Sequence, residues 1–197
     1  MHVYIVFAHP ARDSFNRKVL EVFTRGLGES GHTYEIGDLY EMNFISEMDA
    51  EQYEREVGLD PEAPVPADVG MEQAKIDSAD VLAFIYPVWW SDCPAKLKGW
   101  FDRVLTYGYA YFYDSKGERH TRINIRKAVV ICSAGHTLEH LEKTGIAESM
   151  KRIMLHDRLL GVGVKEAHME ILGGMMPGED KYLHENLQKV HDLARSL

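Results

Sequence analysis

Four short stretches place polar, aromatic or small residues where apolar runs end. The first is Phe7-Ala8-His9-Pro10-Ala11-Arg12-Asp13-Ser14-Phe15-Asn16. If a helix opens near Ser14, its first N–H groups point outward with the positive end of the dipole and form a site for an anion such as a phosphate. Ser14 and Asn16 add side-chain donors, and His9 can donate to a phosphoryl oxygen; the alternative makes Ser14 a plain helix cap and His9 a turn residue. The second is Pro87-Val88-Trp89-Trp90. Two adjacent indoles at the end of a strand are costly in water, so a flat aromatic ligand facing Trp90 is one reading and a packed core pair is the other. The third is Ser133-Ala134-Gly135, whose small side chains let a ligand approach the backbone and whose successive N–H groups suit a negatively charged edge. The fourth is Tyr109, Tyr111 and Tyr113, whose spacing by two puts three phenols on one side of an extended segment, either lining a pocket or lying on an exposed strand.

His136 and His140 follow the third stretch, four residues apart. On one helical turn they could supply protons, since histidine ordinarily titrates near neutrality, or they are solvated surface residues. No third ligand at a recognisable spacing accompanies them, so no metal site is assigned. A serine nucleophile at Ser133 is disfavoured by the absence of Gly-x-Ser-x-Gly, and the glycine-rich dinucleotide fingerprint is absent from the first loop.

The elements that must position these groups follow from apolar patterning. Five runs, Val3 to Ala8, Thr33 to Gly37, Val81 to Tyr86, Ala128 to Ser133 and Glu166 to Leu172, alternate with helical patterns and imply a parallel sheet covered by helices. Phe15, Val19, Val22, Phe23 and Leu27 form one face of a first helix, capped by Asp13 or Ser14. Pro94 suits the first turn of a helix that buries Leu97, Phe101, Val104 and Leu105, with Lys98 and Asp102 outward and Trp100 a packing or interface residue. A last helix carries Leu183, Leu187, Val190 and Leu193 after a turn at 173–178. Residues 43–69, acidic and punctuated by Pro61, Pro64 and Pro66, read as an extended excursion too polar for a core of its own.

The 197 residues suit one domain, 1–197, interrupted by that excursion at about 43–70. A net charge of −9 argues against a nucleic-acid surface, which needs clustered Lys and Arg. No apolar run reaches the ~18 residues of a membrane span, and Met1 to Ala8 lacks a basic leader, so a cytoplasmic protein is expected. Cys93 and Cys132 are the two cysteines, too few for a disulfide framework, and read as small apolar residues.

The motifs together resemble the flavodoxin-like NAD(P)H:quinone oxidoreductases. That family has His-x-x-x-x-Ser-Phe-Asn around the flavin phosphate, matched by His9, Ser14, Phe15 and Asn16. Its Pro-x-x-Trp loop lies against the isoalloxazine, matched by Pro87, Val88, Trp89 and Trp90, and its next helix begins Pro-Ala-x-Leu-Lys-Gly-Trp-Phe, matched from Pro94 to Phe101. Ser133 and Gly135 match its small-residue run, while Cys132 and Ala134 depart from it. Tyr109, Tyr111 and Tyr113 resemble its pocket tyrosines for the nicotinamide and the quinone. The resemblance implies a five-stranded parallel sheet in the order 2-1-3-4-5, bound FAD or, alternatively, FMN, and NAD(P)H as electron donor. It also implies ping-pong hydride transfer to a quinone or similar electron-poor aromatic, and a homodimer that completes the pocket. The family's proton-balancing histidine falls at Ala147 and its tyrosine near His140, so His140 or His136 is the expected substitute. Members that serve as ancillary subunits of potassium-efflux systems supply the alternative, a flavin-carrying regulatory or electron-carrier protein.

Overall fold

Strands buried on both faces need apolar residues at every position, and the central runs of this chain have them. The computed structural model, which describes residues 1–176 and 181–197, folds them into five parallel strands. These are β1 (His2–Phe7), β2 (Thr33–Asp38), β3 (Val81–Pro87), β6 (Lys127–Ser133) and β7 (Glu166–Leu172), in the order β2-β1-β3-β6-β7. That is the expected 2-1-3-4-5 once the separate hairpin β4 (Tyr111–Tyr113) and β5 (Arg119–Thr121) is set aside. Alternation sends Val3, Ile5 and Phe7 to one face, under α1 (Phe15–Glu29) and α7 (Leu183–Arg195). Tyr4, Val6 and Ala8 go to the other, with Trp100, Phe101 and Val104 of α4 (Ala95–Val104). The two outer helices approach closely where Gly26 meets α7: a Cβ there would lie 2.8 Å from Ala194 Cβ.

Residues 43–69 differ from the expected extended excursion. They contain α2 (Ala50–Gly58) and lead into α3 (Ala67–Asp77). Polar side chains form much of their buried contact. Gln52 and Arg103 exchange hydrogen bonds, Gln52 Nε2 to Arg103 O and Arg103 Nε to Gln52 Oε1, both 2.8 Å. Arg103 Nη2 lies 3.0 Å from Asp68 Oδ1 and Nη1 donates to Ile45 O at 2.6 Å. Deeper in, the fully buried Glu72 carboxylate accepts from the Tyr4 hydroxyl, from Trp100 Nε1 at 2.7 Å and from Lys75 Nζ at 2.7 Å. Trp100 is therefore a packing residue with its one donor satisfied.

Register brings the candidate loops to one edge. Phe7 pairs with Asp38 and Ile85, Pro87 with Ser133, and Ser133 with Leu172. The segments leaving β1, β3, β6 and β7 thus emerge side by side at the carboxyl ends of the strands, where strand order reverses between β1 and β3. The Pro177–Gly178 end of the turn expected at 173–178 lies outside the described residues.

Candidate functional site

Ser14 caps α1: its side chain accepts from Arg17 N at 3.2 Å, which leaves the amides of Phe15 and Asn16 at the open end of the helix. His9 stands beside them. Its Nδ1 lies 3.0 Å from the Ala11 amide nitrogen and 3.3 Å from the Ala11 carbonyl. The shorter, amide-donated contact assigns the lone pair to Nδ1 and the proton to Nε2. Burial lowers the imidazole pKa below its ordinary value, so His9 is a neutral donor at neutral pH. Arg17 Nη2 reaches Asp38 Oδ2 at 2.6 Å, and Asp38 Oδ1 receives the amides of Tyr40 and Glu41, fixing the end of β2. Between these loops is a hollow of about 180 Å³ lined by His9, Arg12, Arg17 and Tyr40.

Asn16 joins this loop to the third stretch. Its amide Nδ2 donates to Ser133 Oγ at 2.8 Å, while the buried Oδ1 has no partner among the described residues. A serine hydroxyl donates as readily as it accepts, so turning the amide over exchanges which end is unpaired without satisfying both. A buried polar atom left unpaired costs about 1–3 kcal/mol; here it marks a contact that a ligand can complete. Beyond Ser133, the Ala134 amide is taken by Leu172 O at 2.9 Å, while the Gly135 and His136 amides have no backbone partner among the described residues. A Cβ at Gly135 would lie 2.9 Å from Met176 Sδ, so the 173–176 segment closes over this loop.

The tryptophan stretch forms a tight turn. Val88 N donates to Ser133 O at 2.7 Å; Trp89 N donates to Asp92 O at 2.9 Å and Asp92 N to Trp89 O at 3.2 Å. Both central residues are left-handed, Trp90 at φ 51° and Ser91 at φ 65°, the pattern of a type I′ turn, which usually takes Asn or Gly. Each L-residue there costs about 1–2 kcal/mol. Trp90 is fully exposed and Trp89 is 43% exposed, with its ring 6.4 Å from that of His9, so the core-pair alternative does not describe them.

Of the three expected tyrosines, the structure brings two together. Tyr111 and Tyr113 have ring centroids 6.0 Å apart, and the third ring of the cluster is Tyr107, 5.7 and 6.2 Å from them. Tyr109 turns the other way, its hydroxyl donating to Asp77 Oδ1 at 2.9 Å and lying 3.1 Å from Gln73 O. Alternation fails because the chain turns at Gly108, φ +85°. His136 and His140 are exposed and stack with centroids 4.4 Å apart; Thr137 caps the helix Leu138–Lys143 (α5) between them. Ala147, on Ile146–Lys151 (α6), is buried. Asp114, Glu118 and His120, which sequence reasoning did not single out, bring ligand-type atoms within 4.8 Å of one another. There Asp114 Oδ1 serves the turn by accepting the Lys116 and Glu118 amides, and Oδ2 pairs with His120 at 3.0 Å.

Sequence reasoning missed Arg158, which holds both Asp92 carboxylate oxygens at 3.0 Å. A lone arginine in Met-Leu-His-Asp-Arg-Leu-Leu carries no motif, and only its apolar setting distinguishes it.

A doubly wound parallel sheet in this strand order is a domain of the flavodoxin type, and the open helix start, the unpaired Asn16 oxygen and the exposed indoles lie at its switch point. Comparison with known proteins agrees. The model of the flavodoxin-like fold family matches residues 1–194, and the chain belongs to that family. It is similar to the solved NAD(P)H:quinone oxidoreductase from Methanothermobacter marburgensis, 64% identical with a TM-score of 0.96, covering 100% of this chain and 96% of that one. The ribosyldihydronicotinamide dehydrogenase-like protein traD of Penicillium crustosum is 34% identical over 78% of this chain, which spans 65% of the length of that relative. An uncharacterized NAD(P)H oxidoreductase of Haemophilus influenzae is 28% identical over 92% of this chain and 88% of its own. Among the described residues no helix is long and apolar enough to cross a membrane.

Proposed function

We propose that this chain is a flavin-dependent NAD(P)H:quinone oxidoreductase. The observation that carries the reading is the buried, half-satisfied amide of Asn16 at the start of α1, set at the same sheet edge as the exposed Trp90. One end of that edge suits a phosphate and the other a flat ring. A bound flavin, FAD in first place with FMN as the alternative, would supply the two-electron chemistry of hydride transfer between NAD(P)H and a quinone.

The chain's own residues do the rest. His9 Nε2, the Ser14 cap and the amides of Phe15 and Asn16 bind the phosphate end and set the ligand's register. Val88 and Trp89 border the ring edge, and Trp90 walls it from water. The Ser133-Ala134-Gly135 loop faces the opposite edge, where the amides beyond Ala134 stabilise developing negative charge. Tyr111 and Tyr113 offer phenols to a quinone oxygen, and Tyr109 supports them from behind through α3. His140, with His136 stacked on it, holds the proton that accompanies the hydride.

A homodimer belongs to this reading, supported by the exposure of Trp90, Tyr53, Val57 and Met71, apolar side chains that a second copy would cover. One domain over 1–197 and a cytoplasmic setting, where NAD(P)H is present and free thiols stay reduced, complete the reading. Denaturing the purified protein and identifying the flavin released tests the cofactor directly. Stoichiometric FAD or FMN is expected, and purified protein that neither carries nor binds a flavin contradicts the proposal.

A further inference from the structure

The segment facing the tryptophan turn changes helical form. After α6, residues Arg152–Leu159 are wound as a π-helix, a rare geometry that is concentrated at functional sites. Met154, Leu155 and Leu159 are buried there, and Arg158 is the cation among them that reaches the site edge. Its side chain is 10% exposed. Nη1 and Nη2 each lie 3.0 Å from an oxygen of the Asp92 carboxylate, a planar two-point contact. Nη1 is also 3.4 Å from Cys93 Sγ, and the guanidinium carbon stands 5.5 Å from the Phe101 ring centroid. Asp92 Oδ1 accepts the Cys93 amide at 2.7 Å as well.

Asp92 is the closing residue of the turn that displays Trp90. Its own N–H and C=O make the two backbone bonds to Trp89, so whatever fixes Asp92 fixes the turn. The turn needs fixing. Two consecutive left-handed residues that are neither glycine nor asparagine persist only where the surroundings over-determine them. Trp90 makes no such contribution, because its side chain stands in solvent. The restraint comes from the other side, through Asp92, from a guanidinium that is itself held against Phe101 and the core.

We infer that Arg158 is a positioning residue for the oxidoreductase reaction, clamping Asp92 so that the left-handed turn keeps Trp90 presented to the cofactor and the electron acceptor. The inference rests on the reading of Trp90 as a wall of the flavin cleft. Arg158 touches neither ligand. It acts through one carboxylate and one turn, and a side chain with one donor point in place of a planar fork does the task less well.

The test is amide hydrogen exchange on the full chain, with and without flavin, for Arg158→Gln, Asp92→Asn and the double variant. Asp92→Asn alters a half-exposed side chain and keeps the test available should Arg158→Gln fail to fold. A charge-assisted two-point contact at a half-exposed carboxylate predicts that the Trp89 and Asp92 amides exchange about 3- to 10-fold faster in either single variant. The double variant should be no faster than the singles, and the amides of β3 and β6 should be unchanged. Arg158→Lys should recover part of the protection. In flavin-loaded enzyme, kcat/KM for a quinone should fall by a similar factor with flavin content retained. Unchanged exchange at Trp89 and Asp92 in an active enzyme, or additive effects in the double variant, overturns the role of Arg158 alone. A wild-type protein that takes no electrons from NAD(P)H overturns the oxidoreductase reading instead, whatever the exchange shows.

Discussion

Replacing Asn16 by alanine should separate cofactor binding from stability. In the cofactor-free protein the Asn16 amide makes one hydrogen bond, to Ser133 Oγ, and leaves one buried end unpaired. Losing the bond costs about 0.5–1.5 kcal/mol, while removing the unpaired end returns about 1–3 kcal/mol. The lost packing of a short side chain and the Ser133 hydroxyl left without its partner take back part of that, so unfolding free energy should change by less than about 1 kcal/mol. Ser133→Ala works in the opposite sense, since both ends of the buried Asn16 amide then lack partners, and should destabilise by about 1–3 kcal/mol. The double variant should be nearly as stable as Asn16→Ala. For flavin the order reverses. With the amide turned over, Oδ1 accepts from the Ser133 hydroxyl and Nδ2 is free to donate to the phosphate; such a bond to a charged group is worth about 1.5–3 kcal/mol, so Asn16→Ala should raise the flavin dissociation constant about 10- to 100-fold. Urea unfolding of the apoprotein and titration of flavin fluorescence read the two quantities independently. An Asn16→Ala protein destabilised as much as Ser133→Ala, with unaltered flavin affinity, would show that the amide is structural and that no ligand completes it.

Trp90→Ala should leave the fold intact, because the indole is fully exposed, yet weaken flavin retention or slow hydride transfer; full flavin occupancy with both half-reactions unchanged would remove Trp90 from the site. His140→Ala should slow flavin reduction, and an unchanged rate in both His140→Ala and His136→Ala would leave solvent or the Tyr111 and Tyr113 phenols to manage the proton. Cys93 and Cys132 should resist alkylation in the folded state near neutral pH, since burial pushes both thiols up to about 12. Above the ordinary thiol range the unfolded chain has lost these protons and the folded chain retains them. Stability should therefore fall by about 1.4 kcal/mol per pH unit for each thiol until the folded pKa is reached, and an unfolding midpoint that rises over this range would contradict the burial.

The sheet was legible because its chemistry is one-dimensional. A strand buried on both faces must be apolar throughout, and each of the five runs lies within one residue of its strand at either end. The loops that leave it were legible for the same reason, being fixed by where the apolar runs stop and by the serine that caps α1. What failed was whatever depends on polar groups being inside. In α2 the buried residue is Gln52 while Tyr53 and Val57 face out, and α3 buries Glu72 and Gln73 beside Val69 and Ile76. An apolar-period reading sees no helix in such a pattern, because the burial is satisfied by Arg103, Trp100 and Tyr4 from distant parts of the chain. The tyrosine ladder erred because Tyr109 lies in the turn that follows Gly108, ahead of the extended strand Tyr111–Tyr113. Arg158 was invisible because its partner is 66 residues away in sequence.

One cleft is proposed to pass electrons from a nicotinamide to a quinone through a bound flavin. Anaerobic stopped-flow mixing tests it most directly. NADH or NADPH alone should bleach the flavin absorption of the purified protein in a single turnover, and a quinone mixed afterwards, with the nicotinamide removed, should restore it. Steady-state rates should then give the parallel double-reciprocal lines of a ping-pong reaction. A protein that retains its flavin colour when mixed with either nicotinamide, or is reduced but cannot be reoxidised by any quinone, contradicts the account and leaves an electron carrier or regulatory flavoprotein in its place.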